Sequence, residues 1–120
     1  MDTYARRLNA VKEDYPFARW RGLHQDGLEQ YTPENCAKAQ GIFDKLVAKL
    51  IALGPNAPEK QKKALFQQAI EATNELDKEV IETEECEELC ALTNRITEAC
   101  GLDPKDYGGG QGLASEWRHW

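Results

Sequence analysis

The chain has 120 residues, of which 41% are hydrophobic and 30% are charged, and its formal net charge is −6. This length allows one domain with a buried core, and the composition is that of a soluble globular protein. The longest apolar run covers only residues 50–53, which argues against a membrane-spanning helix, and the negative charge argues against nucleic acid as a partner. Residues 1–10 lack the apolar core of a secretory signal, so we expect a cytoplasmic protein.

The first predicted element is a short N-terminal helix. Asp2 or Thr3 can cap it. One face of this helix is apolar, at Tyr4, Leu8 and Val11. Pro16 disfavours helical geometry at the residue before it, so we expect the helix to end near Asp14.

Residues 15–31 are predicted to form an aromatic loop. The segment contains Gly22 and Gly27, which interrupt a long helix and leave room for at most one helical turn. Its large side chains are expected to attach it to the core, and they are Phe17, Trp20, Leu23, Leu28 and Tyr31.

A long helix is predicted over residues 33–53. Thr32 supplies a capping hydroxyl, and Pro33 is favoured at the first helical position. Gly54 and Pro55 then end the helix. Its wide apolar stripe comprises Ala39, Ile42, Phe43, Leu46, Val47, Leu50 and Leu53.

A second long helix is predicted to follow at once and to pack antiparallel to the first, because the connection is short. Asn56 and Glu59 form a capping-box pattern, and the helix is expected to reach about Ile81. Its predicted apolar stripe is Leu65, Ala69, Leu76 and Val80.

The third long helix is predicted to begin at Thr83, with acidic residues in its first turn and a break near Glu82 before it. Gly101 ends it. The alternative is one bent helix that continues through to Ala99. The apolar stripe of the third helix is Leu89, Leu92, Ile96 and Cys100.

The last part of the chain is glycine-rich and then aromatic. Three consecutive glycines at residues 108–110 predict a mobile or tightly turned linker, and residues 114–120 predict a turn of helix whose indoles dock on the core. No stretch shows the alternation of a strand. The predicted fold is therefore an all-α, single-domain helical bundle with three long helices, comprising residues 1–31, 32–101 and 102–120.

Charge is concentrated in what we call the acidic segment, residues 71–88, which contains nine acidic residues and one lysine. On helices these carboxylates form either a solvated outer face or a rigid docking surface for a basic partner protein. The candidate partner-binding residues are Glu71, Glu75, Asp77, Glu79, Glu82, Glu84, Glu85, Glu87 and Glu88.

The four cysteines give little sign of chemistry. Cys86 and Cys90 are four residues apart on one helix face, which is neither the usual zinc-ligand spacing nor a disulfide geometry. We expect small buried thiols, although pairing through Cys36 stays open. No Cys/His motif, pair of Glu-x-x-His patterns or phosphate-binding loop occurs, so we predict no metal, no cofactor and no catalytic residues.

Several short motifs resemble a small family of bacterial all-helical domains to which no activity has been assigned. They are Tyr15-Pro16-Phe17, Thr73-Asn74-Glu75-Leu76, Gly101-Leu102-Asp103 with Tyr107, and the closing Trp117-Arg118-His119-Trp120. The resemblance implies a bacterial origin and a helical fold, and it brings no site residues. In composition the chain is also similar to bacterial immunity proteins, which neutralise toxins.

These observations favour a non-enzymatic interaction protein, an immunity-type inhibitor that binds a basic toxin through the acidic segment. The alternative is a small enzyme or ligand-binding bundle with a pocket between the aromatic loop and the tail, formed by Trp20, His24, Tyr31 and Trp117. A third hypothesis is a homodimer that buries an exposed helix stripe, and the sequence leaves the oligomeric state open.

Overall fold

The computed structural model describes residues 3–25, 27, 32–76 and 83–118, without the side chains of residues 14, 23–25 and 83–85. The described chain is helical and has no strand, and none of its helices combines the length and apolar character needed to cross a membrane. The elements in order are α1 (Thr3–Ala10), a 3₁₀ turn (Val11–Asp14), α2 (Phe17–Gln25), α3 (Pro33–Leu53), α4 (Glu59–Thr73), α5 (Thr83–Ala99), two 3₁₀ turns (Pro104–Asp106 and Gly108–Gly110) and α6 (Ala114–Trp117).

Helix α3 has the predicted bounds, because the signals at both of its ends are local. The Thr32 hydroxyl accepts a hydrogen bond from the Asn35 amide at 3.1 Å, and Pro33 occupies the first helical position. At the other end Gly54 has a φ of 91°, a left-handed conformation that favours glycine. The helix packs against α1, α2 and α4, so it is the centre of the fold.

The prediction of a loop over residues 15–31 is wrong in its first half, where α2 forms a nine-residue helix. Burial of the aromatic side chains outweighs the cost of Gly22 in a helix, which is about 1 kcal/mol. Phe17 and Trp20 are fully buried with their rings 5.3 Å apart, and Phe17 also stacks on Phe43 of α3.

The predicted bounds of the second long helix are also wrong at both ends. Helix α4 begins after Pro58 rather than at an Asn56 cap, and it ends at Thr73, followed by a turn over residues 74–76. This end rules out one bent helix through to Ala99. The predicted break near Glu82 lies outside the described residues.

The apolar stripes of α4 and α5 turned out differently. All four predicted α5 positions are buried, whereas among the described positions of the predicted α4 stripe Ala69 alone is buried, beside Phe66 and Ile70, which the prediction did not include. Leu65 and Leu76 are only half-buried, and Val80 lies outside the described residues. The predicted α4 stripe is therefore rotated toward the edge of the core.

The glycine-rich segment is tightly turned, as one of the two predicted forms requires. Gly112 has a φ of 113°, a left-handed conformation that favours glycine, and a Cβ there would collide with the Asn94 side-chain oxygen of α5. The turn delivers Leu113 and Ala114 into the core, and α6 is the predicted turn of helix. Trp117 packs on the core edge, whereas Trp120 lies outside the described residues.

A buried lysine joins α4 to the end of α5. The side chain of Lys62 is only 4% exposed, and its ammonium donates to the Cys100 carbonyl at 2.7 Å and the Pro55 carbonyl at 3.0 Å. The same ammonium lies 5.4 Å from the centre of the Tyr4 ring. A cation at the carboxyl end of a helix is favourable, because the unpaired carbonyls there carry partial negative charge.

Candidate functional site

The carboxyl end of α4 and the tail together form a hollow of about 480 Å³. Asn74, in the turn after α4, donates its side-chain amide to the Trp117 carbonyl at 3.0 Å and so holds the tail against α4. We call this site the Trp117 hollow, and its lining residues are Glu71, Asn74, Glu75, Glu116, Trp117 and Arg118.

The lining of the Trp117 hollow is acidic, with three carboxylates and one guanidinium. Glu71 and Glu75 are exposed, and Glu71 accepts a hydrogen bond from Gln67 at 2.9 Å. Glu116 is also exposed, with its carboxylate 3.9 Å from the Lys63 ammonium. The hollow therefore presents negative charge to solvent.

The guanidinium of Arg118 is directed at α5 as well as lining the hollow. It donates a hydrogen bond to the Cys86 sulfur at 2.5 Å. This contact ties the tail to α5, so the hollow is bounded by elements that are fixed to two different helices.

Carboxylates around an aromatic side chain form an arrangement suited to a cationic group. Glu71, Glu75 and Glu116 can accept charge-assisted hydrogen bonds from a lysine or arginine side chain. The half-buried Trp117 lines the same hollow, and an indole is the aromatic group that binds cations best through its face. The arrangement is therefore suited to binding a cationic group.

The remaining members of the acidic segment are only partly described. Glu87 is exposed on α5. Asp77, Glu79 and Glu82 lie outside the described residues, and so do the side chains of Glu84 and Glu85.

Glu88 differs from the other predicted partner-binding residues because it is engaged within the chain. One of its oxygens accepts a hydrogen bond from the indole N–H of Trp20 at 3.0 Å, and the other pairs with the Arg19 guanidinium. The side chain is only 23% exposed. Glu88 therefore fastens α2 to α5 and is largely withdrawn from a docking surface.

The predicted pocket residues lie in different surroundings. Trp20 is fully buried, so it cannot contact a ligand that enters from solvent, and its predicted role in a pocket is corrected to a core role. Trp117 lines the hollow described above. The His24 side chain and Tyr31 lie outside the described residues.

The cysteines are thiols, of which Cys36 and Cys100 are buried, as expected, whereas Cys86 and Cys90 are only half-buried. Burial raises the pKa of Cys90 to about 11, and although the nearby Arg118 opposes this effect, burial dominates. Burial also raises the pKa of Cys36 and of Cys100. These three groups therefore stay protonated near neutral pH, unlike nucleophilic thiols.

Among the side chains that the structure describes, no three His, Cys, Asp or Glu residues are grouped closely enough to hold a metal ion. Sequence reasoning had placed Glu71 and Glu75 in one candidate site and Trp117 in another, and it missed Glu116 and Arg118. No local signal joins them, because the two lengths of chain are about 40 residues apart.

Comparisons with known proteins add no further constraint. No protein-family model, no curated protein and no solved structure matches this chain. The resemblance to a bacterial helical family therefore stays a prediction, and the functional argument depends on the geometry of the site.

Proposed function

We propose that this chain is a non-enzymatic interaction protein that binds a partner with a basic surface through the Trp117 hollow and the neighbouring acidic segment. The observation that carries the proposal is that Glu71, Glu75 and Glu116 line one hollow together with Trp117. This arrangement would receive a lysine or arginine of the partner at the hollow, with Glu87 adding negative charge on α5.

An immunity-type inhibitor of a basic toxin is the form of this function that the charge favours. The net charge of −6 and the nine carboxylates of the acidic segment would speed encounter with a positively charged protein. A bacterial source and a cytoplasmic location belong to the same proposal, and thiols are the usual state of cysteine in the cytoplasm.

The alternative of a small ligand-binding bundle is less well supported. Its predicted pocket needed Trp20 and Trp117 together, but Trp20 has no exposed surface. The Trp117 hollow is surrounded by charge rather than by the mainly apolar wall that is typical of a small-molecule site.

The test is capture of a partner from bacterial lysate by the immobilised protein. The binding of the purified partner to the wild type and to two variants is then measured. A variant with Glu71→Gln, Glu75→Gln and Glu116→Gln removes the charge of the hollow and keeps the size of its side chains. The matched control carries Glu13→Gln, Glu34→Gln and Glu98→Gln, three exposed acids outside the acidic segment.

We expect the wild type and the control to retain a basic protein that the hollow variant does not retain. High salt should release this protein. Co-expression of the chain should then relieve the toxicity of that protein. Retention that is insensitive to both salt and the hollow variant would contradict binding at this site, and a harmless partner would contradict the immunity function alone.

A further inference from the structure

A second concave surface, larger than the Trp117 hollow, lies between α3 and α4. It has a volume of about 610 Å³ and is half open to solvent. We call it the α3–α4 groove. Its floor is apolar and consists of Ile42, Leu46, Leu65, Ala69, Ala72 and Leu76.

The groove exists because small residues line it. Ala69 and Ala72 of α4 are too short to fill the space beside α3. Gly41 lies opposite on α3, and a Cβ at that position would meet no atom within 4 Å. The lining runs from residue 38 to residue 49 of α3, which corresponds to about 16 Å at 1.5 Å per residue.

The two edges of the groove differ in charge. The α3 edge has a row of lysines, Lys38, Lys45 and Lys49, which follows the length of the groove. The α4 edge has Gln68 and Glu75, and the Lys49 ammonium donates to Gln68 at 3.2 Å across the groove. Positive charge is therefore spread along one side of an apolar floor.

We propose that the α3–α4 groove binds an amphipathic helix with an acidic flank, supplied by a partner protein. The apolar face of such a helix would cover the groove floor, and its carboxylates would follow the row of lysines on α3. The other flank, next to Glu75, would be neutral or basic. A helix in an apolar groove is a common mode of peptide recognition.

The charge pattern distinguishes this occupant from a lipid-like anion. A fatty acid carries one carboxylate at one end of its chain, whereas the lysines are spaced over three turns of α3. Carboxylates at helical spacing on a bound helix match such a row along its whole length. The groove is also about as long as three turns of helix. This surface shares Glu75 with the Trp117 hollow but is otherwise lined by different residues, and its lysine row has the opposite charge.

The test uses a fluorescent synthetic peptide of about 15 residues, held helical by a side-chain staple, with leucines on one face and glutamates on one flank. A control peptide carries lysines in place of the glutamates. We expect the acidic peptide to bind and the basic peptide to bind at least tenfold more weakly, because the lysine row attracts one and repels the other.

Two variants locate the binding site. Replacing Lys38, Lys45 and Lys49 with Glu should weaken binding of the acidic peptide at least tenfold. The control, with Arg6→Glu, Lys60→Glu and Lys105→Glu, makes the same charge change on exposed residues outside the groove and should weaken binding less. Gly41→Leu should block the groove. Gly22→Leu is its control, because Gly22 is a helical glycine of α2 that also has open space around it.

Three results would overturn the proposal. The first is equal binding of both peptides, or equal loss in the groove variants and their controls. The second is displacement of the peptide by dodecanoate at concentrations below the dissociation constant of the peptide, which would assign the groove to a fatty acid. The third is a dimer, measured by light scattering, that Gly41→Leu dissociates and Gly22→Leu does not, which would assign the groove to a second copy.

Discussion

The two ends of α4 use charge in opposite ways. Near its amino end Lys62 is buried, and its ammonium donates to two backbone carbonyls. At its carboxyl end Glu71 and Glu75 are exposed beside Trp117. The first charge has its partners inside the fold, whereas the second set faces solvent around a recess.

Glu88 shows that a negative charge can also be paired inside the fold, so the sign of a charge does not decide whether it is paired or exposed. It belongs to the acidic segment by sequence, yet its carboxylate bonds to Trp20 and Arg19 within the fold. The distinction is whether the structure satisfies the charge. Charges of the first class should determine stability, and charges of the second class should determine binding.

The largest effect on stability is expected from Lys62→Met. The substitution keeps an unbranched side chain but leaves the buried end of α5 without its donor, which should cost about 3 kcal/mol of unfolding free energy. Urea denaturation measures the loss, and Lys60→Met on the exposed side of α4 is the control. Equal stability of the two variants would contradict a structural role for the ammonium.

A smaller loss is expected from Glu88→Ala. The substitution removes the carboxylate that accepts a hydrogen bond from the buried indole of Trp20 and pairs with Arg19, at a cost of about 2 kcal/mol. Glu87→Ala, one residue away and exposed, should change the unfolding free energy by no more than about 0.5 kcal/mol. If both variants behave alike, Glu88 belongs with the exposed carboxylates after all.

The pH dependence of stability should reveal the burial of Cys90. Because its pKa is raised from 9.0 to about 11, the unfolded chain loses this proton first as the pH rises. The group therefore contributes stability that is fully present below pH 9 and is lost between about pH 9 and 11. The wild type should lose more stability than Cys90→Ala over this range, and parallel curves would show that the thiol is not buried.

The smallest effect on stability is expected from the hollow variant, with Glu71→Gln, Glu75→Gln and Glu116→Gln. These carboxylates are exposed, and their contacts to Gln67 and Lys63 lie at the surface, so the unfolding free energy should stay within about 0.5 kcal/mol of the wild type. Thermal unfolding measures it. A loss as large as that of Glu88→Ala would mean that the hollow is part of the structural framework.

The predictions from sequence succeeded where the determining signal is local. The bounds of α3 follow from Thr32, Pro33 and Gly54, all of which act within one turn of the helix end. The helical fold class follows in the same way from the periodicity of the apolar residues. Long-range packing was needed for α2, because Gly22 reads as a break until the aromatic side chains around it are buried.

The rotation of the α4 stripe has a similar cause. Leu65, Ala69 and Leu76 have helical spacing, and so do Phe66 and Ile70 one position further along. Adjacent positions differ by only about 100° around the helix, so the choice between overlapping stripes is made by the elements that pack on α4, which are α3 and α6. The half-buried Leu65 and Leu76 line the α3–α4 groove, which the sequence did not predict.

The candidate site was predictable only in pieces. Clustered carboxylates and a terminal tryptophan are visible in the sequence, but the hydrogen bond from Asn74 that brings the tail to α4 is not. The opposite roles of Glu87 and Glu88 were equally hidden, because adjacent residues on a helix point in different directions.

The most direct test of the account is calorimetric titration of the captured basic partner into the wild type and into the hollow variant. If Glu71, Glu75 and Glu116 form the binding site, the hollow variant should bind at least tenfold more weakly while the control variant, with Glu13, Glu34 and Glu98 replaced by Gln, retains its affinity. Equal affinity for all three proteins would contradict a binding site at the Trp117 hollow.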